Sequence, residues 1–110
     1  MSGKSLVQID TLRSLGFAGI SAAYAVVGGV LTVKARVICI TNNTAGDMLF
    51  TVDNTEDQLF VAAGSFKLFD LQANMNARLD DQYVGPVGWQ FYVKQITAPV
   101  SGSVYVEVIY

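Results

Sequence analysis

Residues 30–41 read Val-Leu-Thr-Val-Lys-Ala-Arg-Val-Ile-Cys-Ile-Thr, a run whose apolar residues alternate instead of recurring at helical spacing. Leu31, Val33, Ala35, Val37 and Cys39 fall on one face of an extended chain. Thr32, Lys34 and Arg36 take the other face until Ile38 and Ile40 make both apolar, so the strand is expected to start half-exposed and end inside. Its β-branched content suits a pleated, packed surface, and Asn42, Asn43, Thr44, Ala45 and Gly46 stop it with residues that tolerate turns. The expected fold is organised around this strand.

On either side the same logic repeats. Residues 20–27 form an expected strand that turns at Gly28-Gly29 into the central one as a hairpin. After the 42–46 turn, Met48, Phe50 and Val52 share one face, residues 54–57 reverse the chain, and residues 58–61 return. Residues 62–64 turn again, and the strand at 65–71 is expected to carry Phe66 and Leu68 inward. Residues 72–86 make a long polar loop with room for one helical turn at 76–80, and long loops tend to be contact surfaces. Trp89, Phe91 and Val93 then alternate with Gln90, Tyr92 and Lys94, and Val104, Val106 and Val108 with Tyr105, Glu107 and Ile109. Turn signals at this frequency mark an all-β chain, an antiparallel sandwich of about seven strands, jelly-roll or immunoglobulin-like.

Residues 1–19 read differently. Leu6, Ile9 and Leu12 lie near helical spacing, but Gly3 and Gly16 bracket a segment too short to be a stable helix alone. It is expected to be an extended N-terminal arm that orders by docking its apolar residues, with a single sandwich domain over 20–110. The uncharged run at 14–33 raises a membrane span or a leader with Ala23-Tyr24-Ala25 as cleavage site. Its glycines and the Gly28-Gly29 break argue instead for the hairpin.

A chain of 110 residues can bury a core without disulfides or metals, and 52% hydrophobic residues is high for so small a body. Some of that apolar surface is expected to meet a partner. The single cysteine excludes an intramolecular disulfide, and Cys39 is expected as a small buried hydrophobe. Net charge divides into +3 over residues 1–46 and −5 over 47–110, which would let copies attract end to body. Seven basic residues with no aromatic-basic run leave no footprint for nucleic acid.

The chain has no histidine, which removes the commonest general base and metal ligand. Asp53, Glu56 and Asp57 in one turn, and Asp80-Asp81 in the long loop, could be imagined as a calcium site or a glycosidase acid pair, but neither matches a known ligand spacing. Turns recruit such residues for backbone reasons alone. No catalytic, cofactor or metal site is therefore expected. Tyr83, Trp89 and Tyr92 could stack on a sugar, but alternation places Trp89 with Phe91 and Val93 on the core side. The outward residues Tyr92, Tyr105 and Ile109, with Leu6, Ile9, Leu12, Phe17 and Tyr24 from the first third of the chain, form the candidate interface.

Several phrases together carry a resemblance: an alanine-rich lead-in, Ile-Thr-Asn-Asn-Thr at 40–44, a strand ending in Asp at 48–53, Leu-Phe-Val-Ala-Ala-Gly-Ser-Phe at 59–66, Leu-Phe-Asp-Leu at 68–71, Trp-Gln-Phe-Tyr-Val-Lys at 89–94 and a closing Gly-Ser-Val-Tyr-Val-Glu-Val-Ile-Tyr at 102–110. Over residues 20–110 the chain resembles small β-sandwich structural proteins of tailed-bacteriophage virions. The resemblance is one of layout, without a diagnostic motif. It implies a non-enzymatic virion component: a capsid-associated decoration or cement subunit, or alternatively a neck, collar or tail component at the head-to-tail junction. Its partners would be major capsid or neck proteins and copies of itself in a homo-oligomer, with no nucleic acid or membrane. A carbohydrate- or receptor-binding module is the competing expectation from a different class.

Overall fold

Val104, Val106 and Val108 are fully buried, while Ser103, Tyr105 and Ile109 are half-buried and Glu107 is exposed, so the last strand keeps the period of two that its sequence shows. A computed structural model describes residues 8–70 and 88–110, and the expected polar loop at 72–86, with its helical turn at 76–80, lies outside them. Among the described residues eight strands form: β1 (Arg13–Gly16), β2 (Ala25–Val26), β3 (Val37–Thr44), β4 (Met48–Thr51), β5 (Leu59–Val61), β6 (Ser65–Asp70), β7 (Tyr92–Gln95) and β8 (Gly102–Ile109). They make two four-stranded sheets, β1-β8-β3-β6 and β2-β7-β4-β5, with every pairing antiparallel. The all-β sandwich is thus the architecture. Ile38, Ile40, Val104, Val106 and Val108 of the first sheet meet Met48, Phe50, Val61 and Val93 of the second in one core, which Ile20, Val27, Leu31, Ala35 and Phe91 complete.

The central strand differs from its expected form in two ways. It begins at Val37, and residues 30–36 cross from one sheet to the other, still burying Leu31 and Ala35. That crossing resets the alternation: Ile38 and Ile40 face the core, while Val37, Cys39 and Thr41 lie on the other face, half-buried. Cys39 is accordingly not the buried hydrophobe the sequence suggests. Nor do residues 20–27 and β3 form a hairpin. β2 pairs with β7, and beyond Gly28-Gly29 the backbone returns to the same neighbour, with Val27 N–H donating to the Phe91 carbonyl and Leu31 N–H to the Trp89 carbonyl. The glycines make an outward excursion within one strand path because Arg13 occupies the space beneath: a Cβ on Gly28, whose φ is +69°, would overlap the Arg13 side chain.

Arg13 is the residue that turns part of the expected arm into sheet. It lies in β1, hydrogen-bonded alongside β8, and is 7% exposed. Its Nε donates to the Gly29 carbonyl at 2.9 Å, one terminal nitrogen donates to the Val30 carbonyl and pairs with Asp10 at 3.0 Å, and the other donates to the Thr11 carbonyl. The guanidinium also stands over the Phe91 ring. First-sheet edge and second-sheet edge are therefore joined by one planar fork. Further out, Gln8 and Tyr110 exchange backbone hydrogen bonds and Ile9 bridges Ile109, so the described part of the arm runs extended along the molecule's own last strand. Residues 1–7 lie outside the described residues.

The far end of β3 is pinned by Asn42, which is fully buried. Its Nδ2 donates to the Gly46 and Val61 carbonyls, at 2.8 and 2.9 Å, and its Oδ1 accepts from the Thr44 N–H and hydroxyl. Every hydrogen-bonding site on the amide is used. Its backbone carbonyl also accepts the Gly64 N–H.

Replacing Asn42 with Leu keeps the bulk but leaves the Gly46 and Val61 carbonyls and the Thr44 amide without this partner, and is expected to cost about 3 kcal/mol in urea unfolding. Arg13→Met, which strands three carbonyls and Asp10, is expected to lower stability by about 3 kcal/mol in the same measurement.

Candidate interaction face

The outer face of the first sheet follows from its register. In one row Ile9 lies beside Ile109, then Val37, then Asp70; in the next Glu107, Cys39 and Leu68 line up; in the third Ser14, Tyr105, Thr41 and Phe66; in the fourth Gly16, Ser103 and Asn43. Leu12, one residue before β1 and alternating with buried Arg13, adds to the β1 side. Across these rows the side chains charged at neutral pH are Glu107 and Asp70. Ile9 is 79% exposed, Phe66 64%, Leu68 59% and Leu12 53%. These residues gather solvent-facing apolar side chains on one sheet face, the kind of patch from which interaction sites are commonly built.

Phe66 and Leu68 belong here, not in the core as their sequence suggests. β6 is the edge strand, and its pairing with β3 sets Phe66 opposite Thr41 and Leu68 opposite Cys39, on the outer side. Phe69, one step out of that alternation, is the β6 residue that packs against the core. Lys67, opposite core-facing Ile40 yet exposed, puts a charge on the inward parity of an edge strand, a device that discourages edge-to-edge pairing.

The eight interface candidates divide. Ile9, Leu12, Tyr105 and Ile109 come together on this face; Leu6 lies outside the described residues. Phe17 sits in the short 3-10 turn Phe17–Gly19 that follows β1, and is 39% exposed. Tyr92 lies on the outer side of the second sheet, between Val26 of β2 and Thr51 of β4. Tyr24 lies in the segment leading into β2, and its hydroxyl donates to Asp57 at 2.5 Å. Lys94 pairs with the same carboxylate at 3.0 Å and stands 4.8 Å from the centre of the Tyr24 ring. Tyr24 is therefore a clip between the β2 edge and the β4–β5 turn. Burial, then the Asp57 hydrogen bond and the charges of Asp57 and Asp53, push its phenol well above the ordinary tyrosine range. The bond from Tyr24, followed by that from Lys94, holds Asp57 below the usual carboxylate value.

The acidic turn has a structural task as well. Asp53 Oδ1 accepts the Thr55 N–H at 2.9 Å, the Glu56 N–H at 3.1 Å and the Thr51 hydroxyl at 2.7 Å, while Asn54 takes a φ of +62°. The Thr55 amide first, then the Thr51 hydroxyl and the Glu56 amide, lower its pKa far below the usual range. Among the described residues no group of three or more histidine, cysteine or acidic side chains is placed to hold a metal; Asp80, Asp81 and Tyr83 lie outside them.

Trp89 is also displaced from its expected place. Phe91 and Val93 are buried, but Trp89 is 40% exposed, because β7 begins only at Tyr92 and Trp89 stands before it at the open margin between the sheets. It lines an apolar cavity there, whereas Tyr92 lies on the sheet's outer side, so the two do not form one stacking platform. No helix among the described residues is long and apolar enough to cross a membrane. Compared with known proteins, the chain matches no family model, no curated protein and no solved structure.

Because the folded state holds the Asp53 carboxylate below its unfolded pKa of about 4, its contribution is complete above that pH and is lost as pH falls through the folded value. Urea midpoints measured from pH 7 to pH 2 are expected to drop on acidification, and Asp53→Asn to be less stable at pH 7 with a shallower decline.

Proposed function

We propose that this chain is a non-enzymatic structural subunit of a tailed-bacteriophage virion, a capsid-associated decoration or cement protein. It packs against neighbouring virion proteins and copies of itself. The observation that carries the reading is the outer face of the first sheet, where Ile9, Leu12, Phe66, Leu68, Tyr105 and Ile109 present apolar surface across four hydrogen-bonded strands. A rigid sheet loses little conformational freedom when such a face is covered, so most of the gain from burial remains as affinity. In a shell, many modest contacts of this kind add by multivalency. The layout that resembles virion β-sandwich proteins supports the same reading. So does the engagement of Asp53 and Asp57 in backbone capping and the Tyr24–Lys94 clip, which gives these carboxylates a structural reason to be present.

Self-association is tested by sedimentation equilibrium of the full chain and of the Phe66→Ser, Leu68→Ser double variant. The full chain is expected to form oligomers, and the variant to remain monomeric with thermal stability changed by no more than about 0.5 kcal/mol, as exposed positions allow. Mass spectrometry of virions purified from the encoding phage should find the protein in stoichiometric copies. A chain that is monomeric at every concentration and missing from virions would sink the proposal.

A further inference from the structure

Arg13 ties the sheets together along the β1 and β2 edges, but along the opposite edges, β6 and β5, they part around a cavity of about 290 Å³. Ile38, Ile40 and Phe69 line it from the first sheet; Val52, Leu59, Trp89 and Phe91 face them from the second. Gln58 supplies the polar side chain among the described lining residues, and both ends of its amide are engaged, Oε1 accepting the Val52 N–H at 3.0 Å and Nε2 donating to Asp53 at 3.2 Å. Water in such a space would find few of the two to four polar partners it needs. A charged ligand would find no counter-charge among the described lining side chains. What the cavity favours is apolar contact with the three aromatic rings and four aliphatic side chains of its described lining.

We propose that this cavity is a binding site for a small, uncharged, hydrocarbon-like molecule of the size of a substituted benzene. An apolar cavity of about 150 Å³ takes up benzene, so this larger one has room for a ring carrying a short alkyl group. Trp89 at the margin contacts the ligand and is partly covered by it. The site is separate from the outer face of the first sheet and stands whether or not that face assembles.

Trp89 is the single tryptophan, so its emission reports on the cavity directly. Titrating the full chain with toluene is expected to shift that emission to the blue saturably and to raise the thermal midpoint with ligand concentration. Benzoate, the same ring carrying a charge, is expected to do neither. Val52→Phe and Leu59→Phe fill the space from half-buried positions and should each weaken toluene binding about tenfold or more while the far-UV spectrum is unchanged. Two variants keep the comparison available if one does not fold. The proposal is overturned by any of three results: no saturable response up to the solubility of toluene, a benzoate response equal to it, or toluene binding that both folded variants leave intact.

Discussion

The buried amide of Asn42 is the interaction on which the rest of the sandwich leans. It sits at the end of β3 where the chain leaves the first sheet, and it holds the start of the path into β4 through Gly46 and the end of β5 through Val61. Its own backbone carbonyl takes the Gly64 N–H, where the chain comes back to the first sheet as β6. Both changes of sheet are thus tied to one residue. A fully satisfied polar group in a dry interior rigidifies its surroundings because any slip in register leaves several groups unpaired at once. Thr44 and Gly46 complete the site, and a Cβ on Gly46 would overlap the Thr97 carbonyl, so the corner is also closed sterically.

At the other end the problem is different. β1 and β2 are short edge strands, and β2 has only two residues in register with β7. Arg13 joins these edges with directional bonds to Gly29 and Val30, where an apolar side chain could offer only contact. The β5 and β6 edges carry no equivalent fork among the described residues, and there the sheets part into the cavity beside Trp89.

The outer face of the first sheet carries apolar rows, whereas the second sheet's outer side combines exposed Val26 and Phe60 with an acidic clip. On one side apolar rows of Ile9, Ile109, Leu68, Tyr105 and Phe66 are available to a partner. On the other, Tyr24, Lys94, Asp57 and Asp53 engage one another and the turn backbone, so their charge is used locally. Lys67 guards the β6 edge next to the apolar rows, which favours covering the face over extending the sheet.

The all-β class, the alternation of β8, the inward Met48 and Phe50 and the reversal at residues 54–57 were legible in the sequence, since each rests on local periodicity or local turn chemistry. So were Tyr105, Glu107 and Ile109 as the outward side of β8. Side-chain direction around β3 was not. Residues 37–40 are apolar on both parities, so period alone cannot say which side is inside, and the crossing at residues 30–36 shifted the answer by one. Phe66 and Leu68 followed from that shift, because their side is inherited from Thr41 and Cys39 across the ladder. The partner of β2, the burial of Arg13 and Asn42, and the exposure of Trp89 depend on contacts between residues far apart in the chain. The sequence by itself determined where strands and turns could form, because backbone preference is local; only the tertiary structure decided which faces meet, because burial is settled between segments and not within them.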